Sequence, residues 1–274
     1  MPSETNAKRP LLLRILPPGQ RMRVWSKFYE KRSPGDGSLY HDATLGLAPR
    51  MRMELLAGDV LSDSIAFTGI YELSLSRTVA DRASHGGMFV DVGANLGYFT
   101  LLWMAGGSSN RCVAIEASPR NVQLLRQNVK KNGCDDRVKV IAGAAGDASG
   151  QRKFDPGPKE QTGWGGLTGD AASDDAIEVG VQRLDEIFDL SERIALLKID
   201  VEGADTLVLM GCEKLLQEKR VKEIWYEQNR PRMRSLNIKE SLAEEFLKSV
   251  DYTVRCAGDP AADICEYQAL PAGH

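Results

Sequence analysis

The stretch Met88-Phe89-Val90-Asp91-Val92 is apolar except for one acid, and it runs directly into Gly93-Ala94-Asn95-Leu96-Gly97. An apolar run of strand length that ends in a glycine-lined bend admits few folds. Such a strand is buried on both faces, which places it inside a parallel sheet, and the bend leads into a helix. Glycine tolerates the backbone such a bend needs and lets a ligand approach the chain closely. The helix after Gly97 presents free amide groups toward the crevice at the carboxyl ends of the strands, where open α/β sheets bind ligands.

The same rhythm continues downstream. Strands are expected over 111–116, 138–142, 177–181, 194–200, 221–227, 252–256 and 264–268, with helices over 98–105, 184–190, 203–217 and 240–249. A further helix follows Ser118, which suits an N-cap; Pro119 suits the first helical position, Gly133 ends it, and Val122, Leu125 and Val129 give it a buried stripe. Upstream, the chain looks helical after Glu72, with Leu73, Val79 and Ala80 facing inward. Residues 51–67 alternate short apolar runs with turns at Ala57-Gly58-Asp59 and Ser62-Asp63-Ser64, which predicts a hairpin or two short strands. Residues 147–176 are rich in Gly, Asp and Pro and predict a β-excursion or flexible loop. The sum is an α/β fold, a mostly parallel sheet with helices on both faces. Residues 1–50 are expected to form a basic arm, disordered over 1–10 and otherwise a short helix plus irregular structure, placed as a substrate cap on a domain spanning 51–274.

Charge supports that division. Residues 1–34 carry a net +6, so the remainder carries −9 of an overall −3. A basic arm either meets an anionic partner or is simply solvated, and the chain as a whole has no nucleic-acid footprint. The five cysteines, Cys112, Cys134, Cys212, Cys256 and Cys265, are odd in number and include no CxxC pair, which argues against a disulfide framework or zinc knuckle and fits a reducing compartment. No run is long and apolar enough to span a membrane, and Leu11–Leu16, broken by Arg14, makes a poor signal-peptide core. A cytoplasmic location is expected.

The second strand ends in Glu116, 23 residues after Gly93, where a carboxylate can accept the hydroxyl hydrogens of a ribose. Dinucleotide enzymes share that acid. The bend discriminates: Gly-Ala-Asn-Leu-Gly is not Gly-x-Gly-x-x-Gly and cradles a pyrophosphate poorly. An acid two residues before the first glycine instead suits a cofactor with a cationic amino-acid end, as in S-adenosylmethionine. The plainer alternative is a tight strand–helix turn that binds no nucleotide.

The stretch from Phe89 to Thr100 resembles the first motif of the FkbM family of methyltransferases. So do Glu116-Ala117-Ser118-Pro119-Arg120-Asn121 with a helix reaching Asn128, Leu184-Asp185-Glu186-Ile187, and Leu197 to Ala204. Upstream, Gly69-Ile70-Tyr71-Glu72 resembles the short element that the family sets before its first core strand. The blocks occur in family order across roughly residues 55–230; Asp205 departs from the glutamate that is usual after Gly-Ala. The resemblance implies a class I (Rossmann-like) methyltransferase fold with a seven-stranded sheet. It also implies S-adenosylmethionine as cofactor and methylation of a hydroxyl on a sugar, glycolipid or polyketide-type product. By position, Asp91, Gly93, Asn95 and Gly97 hold the methionine end, Glu116 binds ribose with Ser118 and Asn121 beside it, and Ala144 and Ala145 lie near adenine. Tyr71 and Glu72 either close over the cofactor or are a packed aromatic and a helix-start acid.

Methyl transfer to a hydroxyl needs alignment and a proton acceptor. Lys198, Asp200 and Glu202 at the end of the fourth strand are the catalytic candidates; residues 198 and 200 share a strand face, and a structural Lys–carboxylate pair is the alternative. Glu227 and Asn229 end the next strand and could bring oxygen ligands to Asp200, enough to hold Mg²⁺. That set is similar to the one in metal-dependent catechol-type O-methyltransferases. Glu227 and Asn229 are also substrate candidates. His41 is either a base delivered by the arm or a surface histidine. Trp164, in Thr162-Gly163-Trp164-Gly165-Gly166-Leu167, either packs on a small-molecule acceptor or anchors its loop. Two other functions stay open: N-methylation of a protein or RNA, and a non-catalytic or oxidoreductase use of the same fold.

Overall fold

A computed structural model describes residues 11–28, 38–169 and 174–273. The main sheet has seven strands: β1 (Met88–Val92), β2 (Arg111–Glu116), β3 (Val138–Ala142), β4 (Ile194–Ile199), β5 (Ile224–Asn229), β6 (Tyr252–Cys256) and β7 (Ile264–Pro271). Their spatial order is β6-β7-β5-β4-β1-β2-β3. The five strands β1 to β5 run parallel, and β7 and β6 complete the sheet in antiparallel pairing. The chain leaves β1 toward β2 and β3, then returns to β4 on the other side of β1. This reversal opens a crevice at the carboxyl ends of β1 and β4.

Both faces of the sheet are covered, so its central strands read as continuous apolar runs. On one face Phe89, Ala114, Leu196 and Trp225 pack with helices α1 (Leu73–Ser84), α2 (Tyr98–Met104) and α3 (Pro119–Lys131). On the other, Val90, Ile115, Leu197 and Ile224 pack with α4 (Asp205–Met210), α5 (Glu213–Gln217) and α6 (Leu242–Ser249). Strand alternation puts Asp91 and Lys198 on the first face, and the β1–β4 register sets them side by side.

Several local expectations need correction. Residues 51–67 form no hairpin: Arg52–Met53 pairs with Ala43–Thr44, and Val60–Thr68 is a helix. Its signals are Asp59, which accepts the amide of Ser62, and Gly69 in the left-handed conformation (φ 79°). The helix expected over 203–217 is two, α4 and α5, because the Asp185 carboxylate caps the amides of Lys214 and Leu215 and starts a new helix. The inward stripe of α1 is Leu75, Val79 and Ala83 rather than Leu73, Val79 and Ala80.

The region 147–176 makes a small second sheet in which Gly150–Asp155 and Gly166–Leu167 pair, with Ile177–Gln182 beyond. The expected disorder over 1–10 lies outside the described residues. Of the arm, Leu13, Trp25, Tyr40 and Leu45 are buried in the same core as Phe89 and Trp103, so a boundary at residue 50 separates no cores. No helix among the described residues is long and apolar enough to cross a membrane.

Candidate active site

The crevice at β1 and β4 widens into a cleft of about 980 Å³, its open mouth included. Gly93 sits at its hinge. Its φ is 75°, and a Cβ there would fall 1.8 Å from the carbonyl oxygen of Asp200. No other residue lets the ends of β1 and β4 approach so closely. Gly97 starts α2 at φ 91°, and a Cβ there would meet Leu125 at 2.6 Å. Gly97 therefore shapes the bend from behind rather than lining the cleft.

Glu116 faces the cleft from the tip of β2. One carboxylate oxygen accepts the amide of Asn95 and the other the amide of Ser118, each at 2.8 Å. Burial raises its pKa, and these two amides work against the rise. Each oxygen retains acceptor capacity, which suits the two hydroxyls of a ribose. Asn95 also lines the cleft, and its Oδ1 is buried without a hydrogen-bond partner. Ala144 and Ala145 form an apolar wall together with Ile115 and Phe154. An unspent buried acceptor, a carboxylate with acceptor capacity left on both oxygens and an apolar slot fit the parts of S-adenosylmethionine.

Ser118 and Asn121 stand one layer back. Ser118 is fixed by its amide on Glu116, and Asn121 donates from Nδ2 to the carbonyl of Thr162 at 2.8 Å. Asp91 also stays beneath the cleft: it is wholly buried, accepts from Thr100 Oγ1 at 2.7 Å and pairs with Lys198 at 3.4 Å. The expected direct grip of Asp91 on the methionine end gives way to a bracing role under the bend.

Lys198 is the pivot. Its Nζ donates to the carbonyl of Gly93 at 3.1 Å, lies 3.4 Å from both Asp91 and Asp200, and sits 5.1 Å above the ring of Phe99. Burial opposes its charge, but Asp200, Asp91 and Glu72 outweigh burial and hold the ammonium above its ordinary range. Lys198 is a fixed cation rather than a base.

Around it the cleft gathers carboxyls: Asp200, Glu202, Glu227 and, from the start of α1, Glu72. Burial first, then Asp200, pushes Glu72 up to about 8 and Glu227 up to about 9. Tyr71 and Glu72 both line the cleft; Tyr71 is packed edge-on against Tyr98, and Glu72 stands at the start of α1.

The magnesium expectation is not supported. Among the described residues no group of His, Cys, Asp and Glu side chains is placed to hold a metal ion. The third member of the expected set is spent as well: Asn229 donates from Nδ2 to Glu202 at 2.9 Å, and its Oδ1 accepts the amide of Arg232. Of the two readings of His41, the structure shows the surface histidine and not the base delivered by the arm. It lies on the surface, its side chain 74% exposed and paired with Glu54, and no described residue before Leu61 lines the cleft. Trp164 is 53% exposed and does not line the cleft, although its neighbours Gly163 and Gly165 do.

Residues that pattern reading passes over hold that glycine-rich loop. Asp59, itself buried, accepts from both the amide and the hydroxyl of Thr162, at 2.8 and 3.0 Å. Arg232 donates to the carbonyl of Trp164 at 2.8 Å and pairs with Glu202 at 3.3 Å. The sequence signal for Asp59 was its N-cap position, which reads equally as a turn.

The methyltransferase FkbM domain family matches residues 91–252. Among solved structures, the chain is similar to the O-methyltransferase from Bacillus cereus in complex with SAH, at 12% identity and a TM-score of 0.44, covering 92% of this chain and 97% of that one. It is also similar to precorrin-6y C5,15-methyltransferase from Geobacter metallireducens, at 14% identity and a TM-score of 0.41, covering 74% and 90%. A search of curated proteins found no match.

Proposed function

Because the chain belongs to the FkbM family of S-adenosylmethionine-dependent methyltransferases, we propose that its acceptor is a hydroxyl group of a small molecule. The observation that carries this reading is the position of Asp200. Its side chain is 30% exposed at the cleft, 3.4 Å from a lysine that stays charged. A hydroxyl needs a proton acceptor at the moment of transfer, and a carboxylate steadied by a fixed cation supplies one. When bound, the cofactor supplies a methyl group on a positively charged sulfur.

The chain's own residues do the rest. Glu116 and Asn95 orient the nucleoside half, and the alanine wall receives its base. Lys198 fixes the direction of Asp200. Asp200 takes the hydroxyl proton. Burial and the Asp200 charge push the Glu72 and Glu227 carboxyls toward the protonated form, which limits the negative charge beside Asp200. The loop 162–166 narrows the mouth and limits the acceptor's size, and Trp164 offers an exposed ring at the rim for its apolar face. After β4 the chain reads Asp-Val-Glu-Gly, not the Asn/Asp-Pro-Pro-Tyr/Phe that serves amino groups of bases.

Incubation with methyl-labelled S-adenosylmethionine and fractionated cell extract tests the acceptor. Label is expected in the small-molecule fraction, in a product that forms an ether bond. Label in protein or RNA overturns the reading. Asp200→Asn is expected to keep cofactor affinity within about threefold while turnover falls about 100-fold or more. Undiminished turnover removes Asp200 from the chemistry.

A further inference from the structure

Far along the sheet from the glycine bend, β6 and β7 form an antiparallel pair in which Cys256 stands opposite Tyr267. Cross-strand partners point to the same face, and so do residues two apart on one strand. Cys256 therefore shares a face with Cys265. Strand twist draws one diagonal of such a pair together. Here the two Sγ atoms approach to 2.6 Å, well inside van der Waals contact and about half an ångström from bonding distance. The other three cysteines, Cys112, Cys134 and Cys212, are buried elsewhere.

The geometry points to a reversible disulfide between Cys256 and Cys265. Cys256 is the more exposed of the two, whereas Cys265 is buried. Burial, and then the neighbouring Cys256 sulfur, raise the Cys265 thiol to about 11. Cys256 is thus the entry point. Its thiolate attacks a small-molecule disulfide such as oxidised glutathione, forming a mixed disulfide and expelling one glutathione thiolate. Cys265 then displaces the second glutathione. Two thiol protons leave to solvent or to the departing thiolates, and two electrons pass to the oxidant.

The bond closes the turn 257–264, and that turn is tied to the cleft. Arg230 donates its amide to the carbonyl of Asp263 and its guanidinium to the carbonyl of Ala262, both at 2.9 Å. Arg230 directly follows Asn229, the partner of Glu202. The linkage therefore fixes the hairpin end against which the acceptor side of the cleft is built.

The test equilibrates the full-length protein in glutathione buffers of graded potential, quenches with acid and alkylates under denaturing conditions. The expected result is a protein carrying three alkyl adducts where the fully reduced protein carries five. Peptide mapping should then show one linked pair, Cys256 with Cys265, and three alkylated cysteines. Melting should occur several degrees lower after reduction, and in Cys256→Ser melting should not respond to potential. In that variant Cys265 should be alkylated throughout. The proposal is overturned if five cysteines are alkylated at every potential, or if another pair links. It also fails if the linkage forms no more readily in the folded protein than in urea, because placement by the fold then contributes nothing.

Discussion

On the β2 side of the cleft, Glu116 has two backbone amides aimed at its two oxygens. On the β4–β5 side, Asp200 and Glu72 act on a single ammonium that Asp91 also claims, and Glu227 lines the same cleft. The first region is complete by itself: its charge is met by donors that the backbone holds in place. The second carries more acid than Lys198 can offset, and burial together with that excess pushes the Glu72 and Glu227 carboxyls toward the protonated form. A preformed half recognises a ligand whose shape does not vary. A half that is short of positive charge answers to a cationic ligand and can give up a proton or take one. The division matches the function proposed above, in which one half holds a constant cofactor and the other handles the proton of a hydroxyl acceptor.

The largest way to break this contrast is to remove the shared cation. Lys198→Met leaves Asp91 charged and wholly buried with Thr100 as its remaining partner, and the expected cost is about 3–5 kcal/mol of stability, measured by urea denaturation. A loss below 1 kcal/mol would mean that Asp91 takes up a proton instead, and that the pair does little for the bend. Next comes Glu116→Gln, which acts on the complete side. It removes one acceptor oxygen facing the cleft, so cofactor affinity is expected to fall about 10- to 100-fold by calorimetry. The pH behaviour of the acceptor side should stay as it was. A shift in that behaviour would show that the two halves are coupled and not separate.

The complete half was also the legible half. A strand, a glycine bend and an acid at the next strand tip are local patterns, and each is dictated by backbone conformation or by a spacing along the chain. The sheet with helices on both faces followed from the same kind of pattern. The other half depends on where distant segments meet. That Lys198 lies beside Asp91 is a matter of register between strands about a hundred residues apart. That Asn229 is consumed by Glu202 and the Arg232 amide, leaving Asp200 and Glu227 without the third ligand of the expected set, appears only once β5 and the turn after β4 are placed together. The two readings of His41 stay open in the sequence because a histidine in an aromatic-rich arm says nothing about which side of the domain the arm occupies. Asp59 reads as a turn residue in the sequence because N-caps and turns favour the same side chains for the same hydrogen-bonding reason.

A smaller effect sharpens the contrast by its sign. The Glu227 carboxyl, ordinarily near 4.5, is raised to about 9 by burial and by its acidic neighbours. Below the lower value the folded and unfolded chains both carry the proton. Between the two values the unfolded chain has lost it and the folded chain keeps it, so stability falls as pH rises, and above about 9 the loss is complete. Glu72 adds to the same trend. Glu227→Gln removes one of the two proton sites, so the variant should lose less stability than the parent between pH 5 and pH 9, by about 1 kcal/mol or more. Parallel stability–pH curves for the two proteins would show Glu227 to be an ordinary solvated acid.

Trp164→Ala is the mildest change and separates the cleft from its rim. The indole is 53% exposed, and the loop is held by the Trp164 carbonyl on Arg232 and by Thr162 on Asp59, contacts that do not involve the ring. Stability should therefore change by less than about 0.5 kcal/mol, and cofactor affinity should not change. The acceptor is where the loss should show: an aromatic face at the rim adds about 1 kcal/mol to an apolar or sugar-like partner, so KM should rise several-fold with kcat held. A fall in kcat at constant KM would instead mean that the ring acts on the loop's closure, and an unchanged KM would leave the acceptor wholly inside the cleft, on the carboxyl-rich side.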